Sequence, residues 1–423
     1  MLAALKNAMK IPDLRRKILY TVTLLAVYRI GSFVPVPGVD AVGLAQQLGV
    51  DGGNLFGFLN LFTGGALERF TVFAQGVSPY ITASIVMNLL SIVIPSLEKL
   101  SKEGPEGRKV IAQYTRYATV VLGLVQAVGT AVMARAWGVV ENPNFFSLSL
   151  ITMTLTAGTM FTVWLGEKIS EKGIGNGISL LIFVNIVAAM PTQYVNAFRA
   201  VGEGGLHVVS LILYLVITIL VIGAVVMITK GERRVPVQYA KRVVGRKVYG
   251  GQSTHIPLKV NQAGVIPVIF ASSVLTFPLT LAQFIPGLKL FVDRWLDYGT
   301  FGYNLLYVVL VFFFTYFYTA VTFNPIEVAT NMKKNGGYIP GLRPGRPTSD
   351  YLDRILSRIT LPGAFFLAGI AVLPFVVGAV TRIPSNILTF GGTGMLIIVG
   401  VALDTMQQIE AHLLMRHYEG FLK

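Results

Sequence analysis

Ten stretches of mostly apolar residues recur along the chain, near 18–36, 70–95, 117–136, 148–166, 177–195, 207–229, 263–287, 303–323, 362–380 and 387–409. Each approaches the roughly 20 residues that a helix needs to cross a bilayer. The fifth is the most interrupted, by Asn185 and Pro191. The pattern predicts an all-α integral membrane protein with ten transmembrane helices. An eleventh apolar run, Asn54 to Thr63, is about ten residues long and stops at Gly64-Gly65, a helix-ending signal, with Glu68 and Arg69 before the second span. It is too short to cross. Two readings stay open for it: a re-entrant segment that occludes a central cavity, or an interfacial helix resting on headgroups.

Charge orients these spans. If the N-terminus and every second loop lie on one side, that side collects 28 of the 35 Lys and Arg. The opposite side holds only Arg69, Arg135, Arg199, Lys289, Arg294 and Arg382, while Arg29 falls inside the first span. Basic residues accumulate on the cytoplasmic side, so both termini are expected there. Missing one span would scramble the alternation, which supports the count of ten. The start is not read as a cleavable signal, because no small-residue cleavage site follows and Arg15-Arg16-Lys17 leads straight into the first span. Leu2, Leu5, Met9 and Leu14 fit the apolar face of a short interfacial helix, and equally a poorly ordered end.

Five spans per half, 1–195 and 207–423, force the second half to begin on the opposite side from the first, as an inverted repeat requires. A local echo agrees: Gly76-Val-Ser-Pro79-Tyr-Ile81 and Gly264-Val-Ile-Pro267-Val-Ile269 both read G-V-x-P-x-I, each in the second span of its half. Glycine permits close backbone approach, and proline removes a donor and frees a carbonyl. Such backbone at membrane depth must face protein or a water-filled cavity. Ordinary kinked, small-residue helix packing explains the motif as well.

Two basic loops, 230–262 and 324–361, are far longer than the rest. In the first, Val243-Val244 and Lys247-Val248-Tyr249 flank a Gly-Arg turn and predict a small hairpin. The second contains Gly336-Gly-Tyr-Ile-Pro-Gly-Leu-Arg343-Pro-Gly-Arg346-Pro, a rigid turn that presents arginine. Arginine on an ordered tip suits bidentate recognition of phosphate or carboxylate, hence an RNA-phosphate or acidic-protein partner. Positive-inside charge with attraction to anionic lipid explains the sign of these loops but not their length.

Composition narrows the classes. Of 423 residues, 53% are hydrophobic and 13% charged, about half the usual charged share of a soluble domain. No cysteine is present, so thiol nucleophiles, disulfides and thiolate metal sites are excluded. No Walker-type phosphate loop occurs, and His207, His255, His412 and His417 have no metal-binding spacing. Gly173-Ile-Gly175-Asn-Gly177 resembles a phosphate loop only superficially, since no strand precedes it. Glu167 and Asp404 sit near helix ends on the basic side, whereas a coupled transporter usually places acids near the midplane. Asn88, Gln126 and Asn185 are the remaining intramembrane polar residues, with interhelical hydrogen bonding as their default role. An enzyme is disfavoured and no cofactor is expected. On these grounds a passive protein-conducting channel and a small-solute secondary transporter with inverted repeats are comparable readings.

A family resemblance separates them. Tyr28-Arg-Ile-Gly-Ser-Phe-Val-Pro-Val-Pro-Gly38, Gly64-Gly-Ala-Leu67, Ser78-Pro-Tyr-Ile81, Lys102-Glu-Gly104 with Gly107-Arg108, and Gln113-Tyr-Thr-Arg-Tyr117 carry it in the first half. Gly173-Ile-Gly-Asn-Gly-Ile-Ser179, Tyr239-Ala-Lys-Arg242, Gly264-Val-Ile-Pro267, Tyr338-Ile-Pro-Gly-Leu-Arg-Pro-Gly345 and Phe390-Gly-Gly-Thr393 extend it to the end. Over nearly its whole length the chain resembles the SecY family, the pore subunits of bacterial Sec protein translocons. The resemblance implies two pseudosymmetric five-helix halves around a central hourglass pore. It implies a waist ringed by Val77, Ile81, Ile178, Ile182, Ile269 and Ile397, with valine at 77 where isoleucine is frequent. Residues 54–67 match a plug, with Leu55, Phe56, Phe58, Leu59, Leu61 and Phe62 as its apolar side chains. A lateral gate is expected between spans two and three and spans seven and eight, with Asn88 and Gln126 contributing. Arg242, Arg246, Lys247, Arg343 and Arg346 match the surface where a SecA motor or a ribosome, through rRNA phosphates, docks. SecE and SecG would complete the complex, signal peptides and nascent secretory chains would be its cargo, and membrane lipid would receive released helices. The tail from Glu419 is shorter than the family's pattern, which puts tail-dependent contacts in doubt.

Overall fold

The computed structural model describes residues 8–40, 43–44, 60, 62–203, 207–239, 242–244, 247–249, 253–282, 286–296, 300–381 and 392–421. Helices occupy all ten predicted spans: α1 (Pro12–Gly31), α2 (Ser78–Val93), α4 (Pro105–Ala136), α5 (Phe145–Lys172), α6 (Gly177–Gly202), α7 (Val208–Lys230), α8 (Ile266–Ala282), α10 (Phe301–Thr322), α12 (Arg346–Thr381) and α13 (Gly392–Phe421). Shorter helices α3 (Pro95–Lys102), α9 (Pro286–Trp295) and α11 (Pro325–Lys334) lie between them. Among the described residues, seven helices are long and apolar enough to cross a membrane, and α2 with α3, bent by 100°, makes an eighth. Two fall short of that measure: α1 carries Arg15, Arg16, Lys17 and Arg29, and α8 is 17 residues long.

Local chemistry sets the helix ends. Proline stands in the first turn of α1, α2, α3, α4 and α11, where its missing N–H costs no hydrogen bond. Side chains of Asn176, Thr300 and Asn324 accept from free amides at the starts of α6, α10 and α11. The first span ends earlier than its hydropathy implies. After Gly31 the chain turns extended, and Val36 N donates to Phe70 O while Val72 N donates to Val34 O. Pro35 and Pro37 favour that change. The fifth span, in contrast, is unbroken. Helix α6 runs through Asn185 and Pro191 for 26 residues. Helices α4, α12 and α13 extend beyond their apolar cores at the basic face.

The two halves repeat one neighbour pattern. In each, the second spanning helix packs on the third, the third on the fourth and the fourth on the fifth, while the first packs on the fourth and fifth. The halves meet where α2 touches α8, and where α6 touches α7 and α13. The G-V-x-P-x-I echo is a backbone repeat as well: Gly76 (φ 55°) and Gly264 (φ 64°) both adopt the left-handed region immediately before α2 and α8. That conformation favours glycine and sets the start of both helices.

Among the described residues, strands occur only in the two long basic loops. β1 (Glu232–Tyr239), β2 (Arg242–Val244), β3 (Lys247–Tyr249) and β4 (Ser253–Lys259) come from the first, and β5 (Gly337–Tyr338) from the second. The predicted hairpin is present as β2–β3, with Arg242 opposite Tyr249. The larger feature is not legible in the sequence: β1 pairs with β4 along its length and with β5 at its end, so one antiparallel sheet, ordered β4-β1-β5, fuses the two loops. Pro236 sits in the central strand without loss, because β5 covers only Gln238 and Tyr239. Val235, Val237 and Leu258 from the first loop bury against Met332, Ile339, Leu352, Ile355 and Leu356 from the second loop and α12. The second loop is therefore mostly ordered structure. Its turn spans 336–345, and Arg346 opens α12 rather than lying in the turn.

Leu14 departs from the interfacial reading. It belongs to α1 and is buried with Ile174 and Ile409, joining α1, the α5–α6 hairpin and α13. Met9 is exposed, and Leu2 and Leu5 lie outside the described residues.

If the sheet fuses the loops, cysteines replacing Gln238 and Tyr338, which sit opposite each other, should form an intrachain disulfide on mild oxidation. The natural absence of cysteine leaves no competing thiol. A control pairing Gln238→Cys with Phe145→Cys should stay reduced. Peptide mass spectrometry that finds no 238–338 link would contradict the shared sheet.

Candidate functional site

The aliphatic residues expected at the waist converge from both halves. Val77 caps α2 and Ile81 follows one turn later, its N–H donating to Val77 O at 3.1 Å. Ile269 N donates to Val265 O at 3.2 Å, the same arrangement at the start of α8. Ile182 is on α6 and Ile397 on α13. Val77, Ile81, Ile182, Ile269 and Ile397 are between 0 and 6% exposed and share one continuous apolar cluster. Ile178 is only half-buried at its edge. Its Cδ1 stands 2.5 Å from where a Cβ on Gly166 would be, so this side chain rests on α5. A constriction of such groups offers no ligand to ions and expels water when narrow, yet yields to a passing chain.

Val265 was missed. The echo that aligns Gly76 with Gly264 also aligns Val77 with Val265. Val265 is 5% exposed, lies in the same cluster and packs against Gly400 of α13. The signal was present in the motif.

Of the plug residues, Phe62 is described; Leu55, Phe56, Phe58, Leu59 and Leu61 lie outside the described residues. The segment's C-terminal root is held in detail. Asn60 Nδ2 donates to Glu68 Oε2 at 2.9 Å, and Glu68 N returns a bond to Asn60 Oδ1 at 3.1 Å. Leu67 N donates to Thr63 Oγ1 at 3.3 Å. Two spanning helices reach this root. Asn185 of α6, 1% exposed, donates through Nδ2 to Tyr28 Oη and to Phe62 O, both at 2.7 Å. Arg29 of α1 donates through Nη1 to Gly64 O at 3.0 Å. Asn185 is thus more than a tie between spanning helices, because one of its bonds goes to the Phe62 backbone in the segment before α2. Arg29 and Arg69 also approach the Phe33 ring, their guanidinium carbons 5.3 and 4.6 Å from its centroid.

The residues expected at a gate are half-buried. Among the described residues, the side-chain amides of Asn88 and Gln126 make no hydrogen bond. The polar tie in this region is Gln75, 8% exposed, which donates to Gly123 O of α4 at 3.4 Å and accepts from Thr159 Oγ1 of α5 at 2.9 Å. Its position outside the hydropathic centre of span two hid it. At the basic face, Arg116 Nε bonds Glu167 Oε1 at 2.7 Å and joins α4 to α5. Three amides of the glycine-rich α5–α6 hairpin are engaged within the protein: Ile174 N donates to Thr21 Oγ1, Gly175 N to Gln408 Oε1 and Gly177 N to Ser170 Oγ. A cavity of about 310 Å³ lies within the second half on this side, with Lys259, Asn261, Gln262 and Asp404 among its walls.

Arg343 and Arg346 are exposed, and neither has an ion-pair partner among the described residues. Thr348 Oγ1 donates to Arg343 O at 2.9 Å, and left-handed Gly341 and Gly345 bracket the tip, so the turn is braced from within. Arg246 and the side chains of Arg242 and Lys247 lie outside the described residues.

The fold so defined is that of a polytopic helical membrane protein with two repeated five-helix halves that share one continuous buried aliphatic cluster. The SecY sequence model matches residues 71–406. The Thermotoga maritima protein translocase subunit SecY is 48% identical over 431 aligned residues, covering 99% of this chain and 97% of that one. Two solved structures share the fold. One, of a protein-conducting channel, has a TM-score of 0.67 at 20% identity and covers 93% of this chain and 91% of its own. The other is Sec61 in the canine ribosome–channel complex of the endoplasmic reticulum, with a TM-score of 0.63 at 18% identity and the same coverage. The chain belongs to the SecY family.

The root geometry leaves little room for a side chain at Gly64. A Cβ there would lie 2.7 Å from both Arg29 Nη1 and Asn185 Oδ1, and its φ of 65° is left-handed. Gly138 shares the strained backbone (φ 70°) but faces open space. Gly64→Ala should therefore lower the unfolding temperature in detergent more than Gly138→Ala, whose cost is backbone strain alone, about 1–3 kcal/mol. Equal shifts would refute the crowding at 64.

Proposed function

We propose that this chain is the membrane channel of a protein translocase, passing unfolded secretory polypeptides across the cytoplasmic membrane and releasing transmembrane helices sideways into lipid. The observation that carries the reading is that Val77, Ile81, Ile182, Ile269 and Ile397, from four helices and both halves, share one buried apolar cluster in a chain of the SecY family. We read that cluster's centre as the waist. Ile178 completes the ring in this reading. Residues 1–195 and 207–423 are its two halves, and 54–67 its plug. The α2–α8 contact is the closed lateral gate, flanked by Asn88 and Gln126. Both termini and the fused sheet face the cytoplasm, in keeping with the charge asymmetry.

The pore is passive in this account, and force comes from outside. The braced Arg343 turn, Arg346 and the β2–β3 hairpin with Arg242, Arg246 and Lys247 form the surface for a SecA-type motor or for ribosomal RNA phosphates. The Sec61 structure is that of a ribosome-bound channel, which favours a ribosome among the partners. SecE and SecG are the expected companions. The transporter alternative has no midplane acid to support it among the described residues.

Three outcomes test the reading. Single cysteines at Val77, Ile182 and Ile397 should crosslink to a stalled secretory chain, while a surface cysteine at Phe145 should not; failure at all three sites would sink the waist assignment. Ile182→Gly should raise ion leak through reconstituted protein, and unchanged conductance would count against a seal there. Arg343→Glu should lower motor-driven export severalfold at constant protein abundance. Export and abundance falling together would remove support for docking at the turn.

A further inference from the structure

A charged side chain that approaches an aliphatic constriction must give up water, and the loss is offset only where acceptors stand at the entrance. The cavity of about 310 Å³ in the second half has such a place. Val265 and Leu396 in its wall belong to the buried cluster that also holds Ile269 and Ile397. Asp404 stands in the same wall, seven residues beyond Ile397 on α13. That spacing is two helical turns and puts both on one helix face. The wall has acceptors to spare. Asp404 is exposed and makes no hydrogen bond or ion pair among the described residues. Lys259 acts on it electrostatically, but Lys259 Nζ donates to Gln407 Oε1 at 2.9 Å. Glu167, the other acid at a span end on this side, is paired with Arg116. Asn261 is 6% exposed, and neither its Oδ1 nor Gln262 Oε1 has a hydrogen-bond partner among the described residues. No hydrogen bond holds either amide there, so a half-turn of each presents its oxygen to the cavity.

Resting on the channel reading above, we propose that this cavity is a staging site for a protonated lysine or arginine side chain of the polypeptide entering the waist. Asp404 is the carboxylate partner, and Asn261 and Gln262 are neutral acceptors. Val225, Ile266 and Phe366 supply apolar wall for the aliphatic stem, while the charged head reaches Asp404. Lysine and arginine divide themselves in this way wherever apolar and polar surfaces meet. The volume lies at the lower end of ligand-sized cavities, about 300–1,000 Å³, and suits one side chain rather than a folded segment. The field of the surroundings sharpens the choice. Basic residues predominate on this face, so an unpaired acid beside the entrance is an attractive point in a field that otherwise repels cations. An Asp404 that served only the fold would be bonded to Lys259. Here the lysine is committed to Gln407 and the carboxylate is left for another cation.

The test uses the full chain, reconstituted with its co-purifying subunits, and stalled secretory chains that carry either one lysine or one glutamine at the same position. That position is stepped along the few residues that precede the segment crosslinked by Ile397→Cys. A water-soluble carbodiimide, which joins an amine to a neighbouring carboxylate, should couple the lysine chain to Asp404, as read by peptide mass spectrometry. The glutamine chain should not couple, and Asp404→Asn should abolish the product. In Asp404→Asn the lysine chain should dissociate about fivefold faster, the factor that accompanies roughly 1 kcal/mol for a partly exposed ion pair, while the glutamine chain keeps its rate. Asn261→Leu and Gln262→Leu should give smaller losses of the same lysine-specific difference. If Asp404→Asn does not accumulate, Asp404→Glu, which should still couple, and the dissociation rates of the Gln262→Leu variant carry the test. Coupling to Glu167 or Glu410 with none to Asp404, while Ile397→Cys still crosslinks, would overturn the staging site and leave the channel reading standing. Equal acceleration of both chains would make Asp404 a structural partner of Lys259 and overturn it too. Coupling of spermidine to Asp404 in the idle channel, with none from the lysine chain, would assign the site to a free polyamine and also overturn it. No crosslink of either chain to Ile397→Cys would remove the channel reading and the staging site together.

Discussion

Every backbone carbonyl at membrane depth must find a donor within the protein, and the rest of this structure depends on how that demand is met. The long helices meet it internally. The exceptions are the places where the chain stops being helical inside the bundle: the root at 62–65, the descent to α2 and the approach to α8. At the root, spanning helices lend Asn185 and Arg29 as donors. Before α2, turns and a short extended pairing with 34–36 supply them, and Gln75 ties the segment to α4 and α5.

The waist carries the complementary property. The side chains proposed for it contribute no polar group, and the nearby donors come from α6, which also carries Ile182, and from α1, which carries none of the ring. Ile182 and Asn185 lie three residues apart on α6, and Tyr28 and Arg29 are adjacent on α1. This division lets an apolar seal and a polar anchor occupy neighbouring layers without either compromising the other. The repeated glycine conformation at Gly76 and Gly264 sets the start of α2 and α8, and Val77 with Ile81, and Val265 with Ile269, follow it into the same buried cluster.

Much of the spanning architecture was legible because the bilayer imposes a length and a charge rule on sequence. Each of the ten apolar stretches holds a helix, and the small hairpin lies where the Val-rich runs flank a Gly-Arg turn. The errors have physical causes. Asn185 and Pro191 look like interruptions to a hydropathy reading, but a buried amide with two acceptors does not break a helix. Leu14 reads as a lipid-facing residue until Ile174 and Ile409 are brought to it from more than 150 residues away. Sequence periodicity carries no record of such long-range partners. Gln75, Arg29 and Val265 were in plain view, yet their roles depend on which backbone or side chain arrives opposite. The waist residues themselves came from family resemblance. Composition alone does not separate Ile182 from its many aliphatic neighbours.

The sheet order β4-β1-β5 also bears on how the protein is made. The β1–β4 ladder can close as soon as residue 259 has left the ribosome, since both strands belong to one loop. Strand β5 arrives some 80 residues later, after α8 and α10 have been threaded through the bilayer, and the apolar layer beneath the sheet waits for Leu352, Ile355 and Leu356 beyond it. A nascent copy therefore exposes Val235, Val237 and Leu258 without their covering until eight spans are in place. Maturation of the basic platform reports completed insertion of those spans, and a stalled or misinserted molecule presents to quality-control proteases an unfinished sheet edge with an uncovered apolar face.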